Sequence, residues 1–474
     1  MSNTEENLAA VERELAADVA MAEGRADAED ATLPEPAAGF IYLDYAATAP
    51  LCAEAASAMA PFQVPGPANL AVNANANALY GVGRAAFDLL ESARRRAAQA
   101  LGARRPDEIV FTSGATEADD AAVLGLVQAA AEQRRLAGQK DRPLHVITSA
   151  IEHDAVLAPC RRLEGEGVLV TYLRPNRQGF IEASSLAEAL TDDTVLVSVQ
   201  AANSEVGAIQ PIRELAALAH ERGALFHTDA VQALGKMPLD VQKLGVDAAS
   251  FSAHKIGGPK GVGALYLKAR TPFAPYLLGG GQESGRRSGT QNVAGVTGFV
   301  AALEAAQEAE PEESARLRAL RDRLYAAMGS IGGIQPTVEV DAGSEDFLPN
   351  IVHGLADEWE SETMVLRFDQ LGICVAGGSA CSSHSLEPSH VLKAMGITGD
   401  ESYNALRISM GRYTTDADIA AFEKALNKVL NWSNTVEDKA FHCCKSSVWA
   451  RGGGAARSSF YGMQIRQNPR RDLP

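Results

Sequence analysis

A lysine follows one of the predicted strands in a setting that suits a reactive amine. The predicted strand at 248–252 leads into Ala253, His254 and Lys255, and a glycine-rich turn follows at 257–261. A lysine held at a strand end beside polar groups loses part of its hydration, which lowers the pKa of the amine and suits it to Schiff-base chemistry. Taken alone, Lys255 is more simply explained as a solvated loop residue.

Two more strand ends carry groups that suit an anionic, electron-withdrawing ligand. The sequence TSGATE at 112–117 joins a predicted strand to a predicted helix at 118–131. Free backbone N–H groups and the positive end of that helix would meet there. The strand that follows Gly223 ends at Asp229, and a carboxylate in that place can keep a pyridinium nitrogen protonated. Each feature by itself is also explained by an ordinary helix cap.

Cys381 lies in a run of small, polar and glycine residues at 375–386. This composition predicts a loop, and loops can carry a thiol between reaction sites. The thiols of Cys52, Cys160 and Cys374 are expected to be inert. Cys381 therefore differs from these three thiols in its predicted loop setting.

Short β-rich runs alternate with longer alanine- and leucine-rich segments at helical spacing through the middle of the chain. The predicted strands are 108–112, 145–148, 195–200, 224–227, 248–252 and 263–267. This alternation indicates βαβ units, and therefore an α/β fold with a mostly parallel sheet covered on both faces. Ligands of such sheets bind at the carboxyl ends of the strands. The groups described above are expected to meet there.

Charge and composition restrict the class of protein. The net charge of −17 repels phosphate, which argues against binding of nucleic acid or of an anionic membrane surface. No apolar run reaches the roughly 20 residues that a membrane span needs. With no recognisable signal peptide and six scattered cysteines, the sequence predicts a cytoplasmic protein without disulfides. The cluster His442, Cys443 and Cys444 offers too few ligands for a closed zinc site, so no metal is predicted.

A set of short motifs occurs along residues 42–430. They are YLDYAATAP at 42–50, FTSGATE at 111–117, TSAIEH at 148–153, SAHK at 252–255, GGGQE at 279–283, RSGT at 287–290, GSACSS at 378–383 and LEPS at 386–389. In this combination the chain resembles the class V aminotransferase branch of fold-type I pyridoxal phosphate enzymes, and within it the cysteine desulfurases of the NifS and IscS type. The resemblance implies a homodimer that uses pyridoxal 5'-phosphate to convert L-cysteine to L-alanine.

The same resemblance implies catalytic roles for three residues. Lys255 looks like the lysine that forms the Schiff base with the cofactor. His153 looks like the imidazole stacked on the pyridine ring, where it can move protons. Cys381 would attack the substrate sulfur as a thiolate and keep it as a persulfide.

Further residues are implied to bind the cofactor or the substrate. Asp229 would pair with the ring nitrogen and Gln232 with the phenolic oxygen, and Asn203 would lie beside them. The phosphate would be held by Ala115, Thr116, Ser252 and His254, joined by Thr290 from the other subunit. Asn203 and Arg407 would bind the substrate carboxylate, because a guanidinium fork matches a carboxylate bidentately.

The predicted domain division follows from composition and from the resemblance. It comprises an acidic disordered leader at 1–39, a small α+β domain from 40–60 and 311–435, a large cofactor-binding domain at 61–310 and a flexible basic tail at 436–474. Because both ends lack core-forming periodicity, neither is expected to contribute to the site.

Two departures from the family pattern and two alternative functions stay open. Tyr80 ends the stretch NANALY at 75–80, where many relatives carry a histidine, and Ala253 replaces a common glycine. A selenocysteine lyase or another C–S lyase of the same fold is one alternative, and a non-catalytic sulfur-relay scaffold is the other. The implied partner is a sulfur acceptor such as a scaffold of iron–sulfur cluster assembly or a tRNA thiolation protein, and DNA modification and cofactor synthesis stay open as destinations of the sulfur.

Overall fold

The structure is a computed structural model that describes residues 39–378 and 388–431. The chain divides into two compact units, residues 1–41 and 42–474. Of the first unit, residues 39–41 are described. The predicted leader up to residue 38, the nucleophile Cys381 and the predicted tail at 436–474 lie outside the described residues.

Strands and helices alternate along the second unit. The strands are β1 (Ile41–Tyr42), β2 (Ile109–Thr112), β3 (His145–Ser149), β4 (Leu169–Leu173), β5 (Thr194–Ser198), β6 (Leu225–Asp229), β7 (Ala248–Ser252), β8 (Gly263–Leu267), β9 (Ile334–Pro336), β10 (Ile351–Ala356), β11 (Ile373–Cys374) and β12 (Ala405–Ser409). The helices are α1 (Ala53–Met59), α2 (Leu70–Asn73), α3 (Gly81–Leu101), α4 (Ala115–Leu136), α5 (Asp154–Gly165), α6 (Ala183–Ala189), α7 (Ile212–Glu221), α8 (Val241–Leu244), α9 (Val293–Ser330), α10 (Ser361–Gln370), α11 (His390–Ala394) and α12 (Asp416–Leu430).

The main sheet has seven strands in the order β2-β8-β7-β6-β5-β3-β4. Strand β8 is antiparallel to both of its neighbours, and the remaining pairs are parallel. Adjacent residues of β2, Val110 and Phe111, belong to separate apolar cores because successive side chains point to opposite faces of a sheet. The prediction of an α/β fold with a mostly parallel sheet covered on both faces is confirmed.

A smaller antiparallel sheet, in the order β12-β10-β9, follows the long helix α9. The guanidinium of Arg321 on α9 is fully buried and donates to the carbonyls of Phe347 and Ser344, at 2.9 and 3.0 Å. These bonds hold the segment before β10 against the helix. Helix α9 runs without interruption past residue 310, where the sequence analysis placed a boundary, and the domain limits stay a prediction.

Parallel strands bring their chain ends to one edge of the main sheet. Strands β2, β3, β5, β6 and β7 share one direction, so the residues that follow them are neighbours in space although they are far apart in sequence. None of the described helices has the length and hydropathy of a membrane span.

Candidate active site

A cavity of about 570 Å³ opens at this edge of the sheet. The predicted site residues that line it are Ala115, Thr116, His153, Asp229, Gln232, Ser252, His254, Lys255 and Arg407. These residues come from the ends of four strands, from the following turns and from the small sheet. Asn203 and Thr290 do not line the cavity.

The turn between β2 and α4 lines the part of the cavity that suits an anion. Gly114 is the N-cap of α4 and makes no side-chain capping bond, so its helix end is not sealed by a side chain of its own. Thr112 Oγ1 donates to the Gly114 carbonyl at 2.9 Å and shapes the turn. A Cβ at Gly263 would lie 2.9 Å from Gly114 Cα, so only glycine lets β8 pass this close. Backbone N–H groups at such a helix end suit a phosphate.

His254 lies on the turn that follows β7. Thr48, near the start of the second unit, contacts its side chain. The Nδ1 of His254 is 3.1 Å from Thr48 Oγ1. Burial, and then the positive charges of Lys255 and Lys260, lower the pKa of His254 to about 4. The imidazole is therefore neutral at physiological pH, so it can contact an anion as a single N–H donor without adding charge.

Lys255 lies in a single 3₁₀ turn, Ala253–Ile256, that follows β7 directly. Gly257 ends this turn with φ +80°, a left-handed conformation that a side chain would disfavour. The Lys255 Nζ donates to the carbonyl of Ala46 and, at 3.0 Å, to that of Ala47. The amine thus points into the cavity from a fixed turn.

Asp229 and His153 share the electrostatic environment of Lys255. Burial raises the pKa of Asp229, against the lowering effects of the 2.9 Å bond from the Val231 N–H and of the charges on His153 and Lys255. His153 Nδ1 accepts from the Ala155 N–H at 3.1 Å. In the neutral imidazole the proton is therefore on Nε2.

The sequence analysis missed a buried carboxyl behind Asp229. Asp119, on α4, lines the cavity and lies 3.6 Å from His227 Nε2, measured from its Oδ1. His227 itself lies 2.8 Å from Ser198 Oγ and 2.9 Å from Ser250 Oγ. Burial, and then the negative charge of Asp229, raise the pKa of Asp119 well above its usual range. Burial also raises the pKa of Asp229, so the two carboxyls disfavour a second negative charge in this part of the cavity.

Arg407 brings a guanidinium from the small sheet to the other end of the cavity. Its Nη2 donates to Asp44 Oδ1 at 2.8 Å and its Nη1 to the carbonyl of Ser204 at 3.1 Å. Its Nε is buried and has no hydrogen-bond partner among the described residues. A buried donor of this kind suits a carboxylate ligand.

Asn203 has a local structural use. Its Oδ1 accepts from the N–H groups of Glu205 and Val206, both at 2.9 Å, and its Nδ2 donates to the Ile151 carbonyl at 3.2 Å. These bonds fix the loop that follows β5 with the Asn203 side chain fully buried. The role of Asn203 in binding cofactor or substrate stays a prediction.

The described segments on either side of residues 379–387 lie close together. Ser389 Oγ donates to Glu205 Oε2 at 2.6 Å, and a Cβ built on Gly378 would lie 3.6 Å from the same oxygen. The backbone N–H of Ala376 donates to the Arg407 carbonyl at 3.1 Å. The described residues Gly378 and Ser389 therefore both lie beside the Glu205 carboxylate.

Thr290 is exposed, and the segments that precede α3 and α9 carry large exposed apolar side chains. Leu79 and Leu278 are 88% and 77% exposed. Asn77 Nδ2 donates to Gln291 Oε1 at 3.1 Å, which joins the two segments that carry these leucines. Tyr80, which departs from the family histidine, lies in the same region and is exposed.

Known proteins resemble this chain over most of its length. The family model described as aminotransferase class-V matches residues 41–422. A protein of Dictyoglomus turgidum named cysteine desulfurase IscS is 40% identical over 396 residues, which cover 84% of this chain and 96% of that protein. The structure of a NifS-like protein matches with a TM-score of 0.74 and 33% identity, over 83% of this chain and all of that one. A structure described as SspA in complex with cysteine matches with a TM-score of 0.66 and 32% identity, over 79% and 100%.

Proposed function

This chain belongs to the class-V aminotransferase family, and from that premise we propose that it is a cysteine desulfurase that converts L-cysteine to L-alanine. The observation that carries the proposal is the single cavity in which Lys255, His153 and Asp229 meet Arg407. An amine, an imidazole and a buried carboxylate suit a pyridoxal cofactor, and the arginine suits an amino-acid carboxylate.

The residues of the cavity fit pyridoxal 5'-phosphate. The N–H groups at the start of α4, with Ala115 and Thr116, would hold the phosphate together with Ser252 and His254. Asp229 would bind the ring nitrogen and Gln232 the phenolic oxygen. When bound, the cofactor supplies an electron sink for the electron pair left by removal of the substrate α-proton.

Three side chains would bind the cofactor ring or move protons beside it: Asp229, Lys255 and His153. Asp229, as a carboxylate, would hold the ring nitrogen protonated, and the positive charges of His153 and Lys255 favour that carboxylate. Lys255 would hold the cofactor through its aldehyde carbon, and its amine would take and return protons at the substrate α carbon. His153, with its proton on Nε2, orients the ring and can donate that proton to the departing alanine.

Cys381 receives the substrate sulfur in this proposal. Its thiolate attacks the sulfur, so an S–S bond forms while the substrate C–S bond breaks. The electron pair of the broken bond stays on the β carbon, which takes up a proton and becomes the methyl group of alanine. One sulfur atom moves to Cys381, and no external oxidant or reductant is consumed.

The exposed face around Thr290 supports a homodimer. Apolar side chains such as Leu79 and Leu278 are costly to leave in water when they are grouped. In the proposed dimer this face is covered by a second copy, and Thr290 completes the phosphate site of that copy. The acceptor of the persulfide sulfur is proposed to be a protein of iron–sulfur assembly or tRNA thiolation in the cytoplasm.

Release of alanine tests the proposed activity. The holoenzyme is given L-cysteine with excess thiol reductant, and alanine and sulfide are both measured. Equal amounts of alanine and sulfide support a desulfurase. Pyruvate and ammonia in place of alanine would identify another C–S lyase. Turnover on selenocysteine alone would identify a selenocysteine lyase, and no turnover on either amino acid would identify a relay scaffold.

We expect Arg407→Gln to raise the KM for L-cysteine about 10- to 100-fold. The variant loses charge-assisted hydrogen bonds to the substrate carboxylate, which are worth about 1.5–3 kcal/mol. Because Arg407 also pairs with Asp44, Arg407→Lys is measured beside it to retain the charge, and cofactor absorbance reports the folded site in both.

Arg412→Gln is the matched control for this prediction. Arg412 follows on the same segment but pairs with Glu54 outside the cavity, at 2.6 and 2.9 Å. Its KM should stay near that of the wild type. An Arg407→Gln enzyme with a normal KM would show that the substrate carboxylate is bound elsewhere.

A further inference from the structure

A charged pair lies behind the turn that precedes α4. Arg287 Nε donates to Glu117 Oε1 at 2.7 Å, and its Nη2 donates to Oε2 at 3.1 Å. The same Oε2 accepts from the backbone N–H of Ser113 at 2.8 Å. Ser113 and its neighbour Gly114 line the cavity. Glu117 therefore holds the shape of the turn proposed to bind the phosphate.

The negative charge of Glu117 would repel a phosphate bound at this turn. Its carboxylate stands in the first turn of α4, at the helix end that would attract a phosphate dianion. Burial would raise the pKa of Glu117, but the bonds from Arg287 and Ser113 outweigh burial and leave the pKa below its usual range. The carboxylate is thus ionised, and its side chain is only 14% exposed, so water screens it incompletely.

Arg287 is held in place by its own loop. Glu283 and Ser284 have φ values of 49° and 57°, which non-glycine residues adopt at a cost. The buried Glu283 carboxylate accepts from Arg94 at 2.6 and 2.9 Å and from the Phe111 N–H at 2.9 Å. These bonds fix the loop that presents Arg287 to Glu117, so the pair is preorganised.

We propose that Arg287 is a positioning residue that neutralises Glu117, so that the turn keeps its shape without repelling the cofactor phosphate. The inference rests on the proposed function, because it takes pyridoxal phosphate as the ligand of this turn. It assigns Arg287 a role in preferring the phosphorylated cofactor over unphosphorylated pyridoxal. Arg287 acts through Glu117 and needs no contact with the phosphate.

The test compares two ligands on reconstituted apoenzyme. Pyridoxal phosphate and pyridoxal are titrated separately, and the change in cofactor absorbance gives each Kd. We expect Arg287→Gln to weaken pyridoxal phosphate binding roughly tenfold or more, since an unpaired carboxylate then lies directly behind the turn that binds the phosphate. The Kd of pyridoxal, which carries no phosphate, should stay within about twofold of the wild-type value.

A second variant separates charge from structure. Adding Glu117→Gln to Arg287→Gln removes the unpaired charge, so pyridoxal phosphate affinity should return to within about threefold of wild type. The matched control is Arg286→Gln, because Arg286 lies in the same loop but donates to the Asp107 carbonyl. This variant should bind both ligands normally, and thermal unfolding of each apoenzyme checks the fold.

Three results would overturn the inference. They are normal pyridoxal phosphate affinity in Arg287→Gln, equal weakening of both ligands, and a double variant that binds no better than Arg287→Gln alone. Failure of the proposed function looks different, because the wild-type protein itself would then bind neither ligand at Lys255.

Discussion

Cys381→Ala should lose sulfur transfer and keep its cofactor. Loss of a covalent nucleophile costs roughly 4 kcal/mol or more of transition-state stabilisation, which corresponds to a rate loss of about 10³-fold. The residues that would bind cofactor and substrate, Lys255, Asp229 and Arg407, are unchanged in this variant. Alanine release should therefore collapse while the absorbance change caused by added L-cysteine persists.

Cys374→Ala is the matched control for this prediction. Cys374 is a free thiol on β11, and burial raises its pKa, so it is a poor nucleophile at neutral pH. This variant should turn over L-cysteine at nearly the wild-type rate. Near-normal turnover by Cys381→Ala would instead identify a lyase that expels sulfide directly.

Lys255→Ala should abolish covalent attachment of the cofactor and reduce turnover by several orders of magnitude. The 3₁₀ turn after β7 delivers this amine into the cavity beside Asp229, and alanine can neither bind the aldehyde nor move a proton. Borohydride reduction of the wild-type holoenzyme followed by peptide mapping should place the pyridoxyl label on Lys255.

Lys268→Ala serves as the control, since Lys268 pairs with Asp247 at 3.0 Å and does not line the cavity. It should retain both label and activity. A label on Lys260, which lines the same cavity, would show that the wrong lysine had been assigned.

The sequence predicted the large sheet and the family well because both depend on local signals. Strands such as β7 and β8 are short runs of small, apolar and aromatic residues, with Ser250 and Ser252 in β7, and their predicted bounds at 248–252 and 263–267 are those observed. The edge strand β4 was missed because its residues are mostly half-exposed and lack that signal. The resemblance to class V aminotransferases, drawn from short motifs, is confirmed by the family match over residues 41–422.

Helix bounds were less accurate for a physical reason. Helix α4 was predicted at 118–131 but spans Ala115–Leu136. Its last turn is rich in charged residues on the exposed side, which carry no apolar periodicity although they are good helix formers. Its first turn continues directly from the phosphate turn, so the sequence shows no break between them.

Long-range contacts explain what the sequence could not predict about the site. Arg287 and Glu117 are 170 residues apart, and only the fold brings them together. Asp119 follows the TSGATE motif at 112–117. It lines the same cavity as Asp229 only because the fold places β6 beside β7. For Asn203, the motif could not show that its amide is engaged by its own loop.

The most direct test of the proposed desulfurase is the intact mass of the holoenzyme after a single addition of L-cysteine without reductant. The account predicts one added sulfur atom per subunit, located on Cys381 by peptide mapping, with one equivalent of alanine released. An unchanged mass with sulfide in solution, or a sulfur located on Cys374, would contradict it.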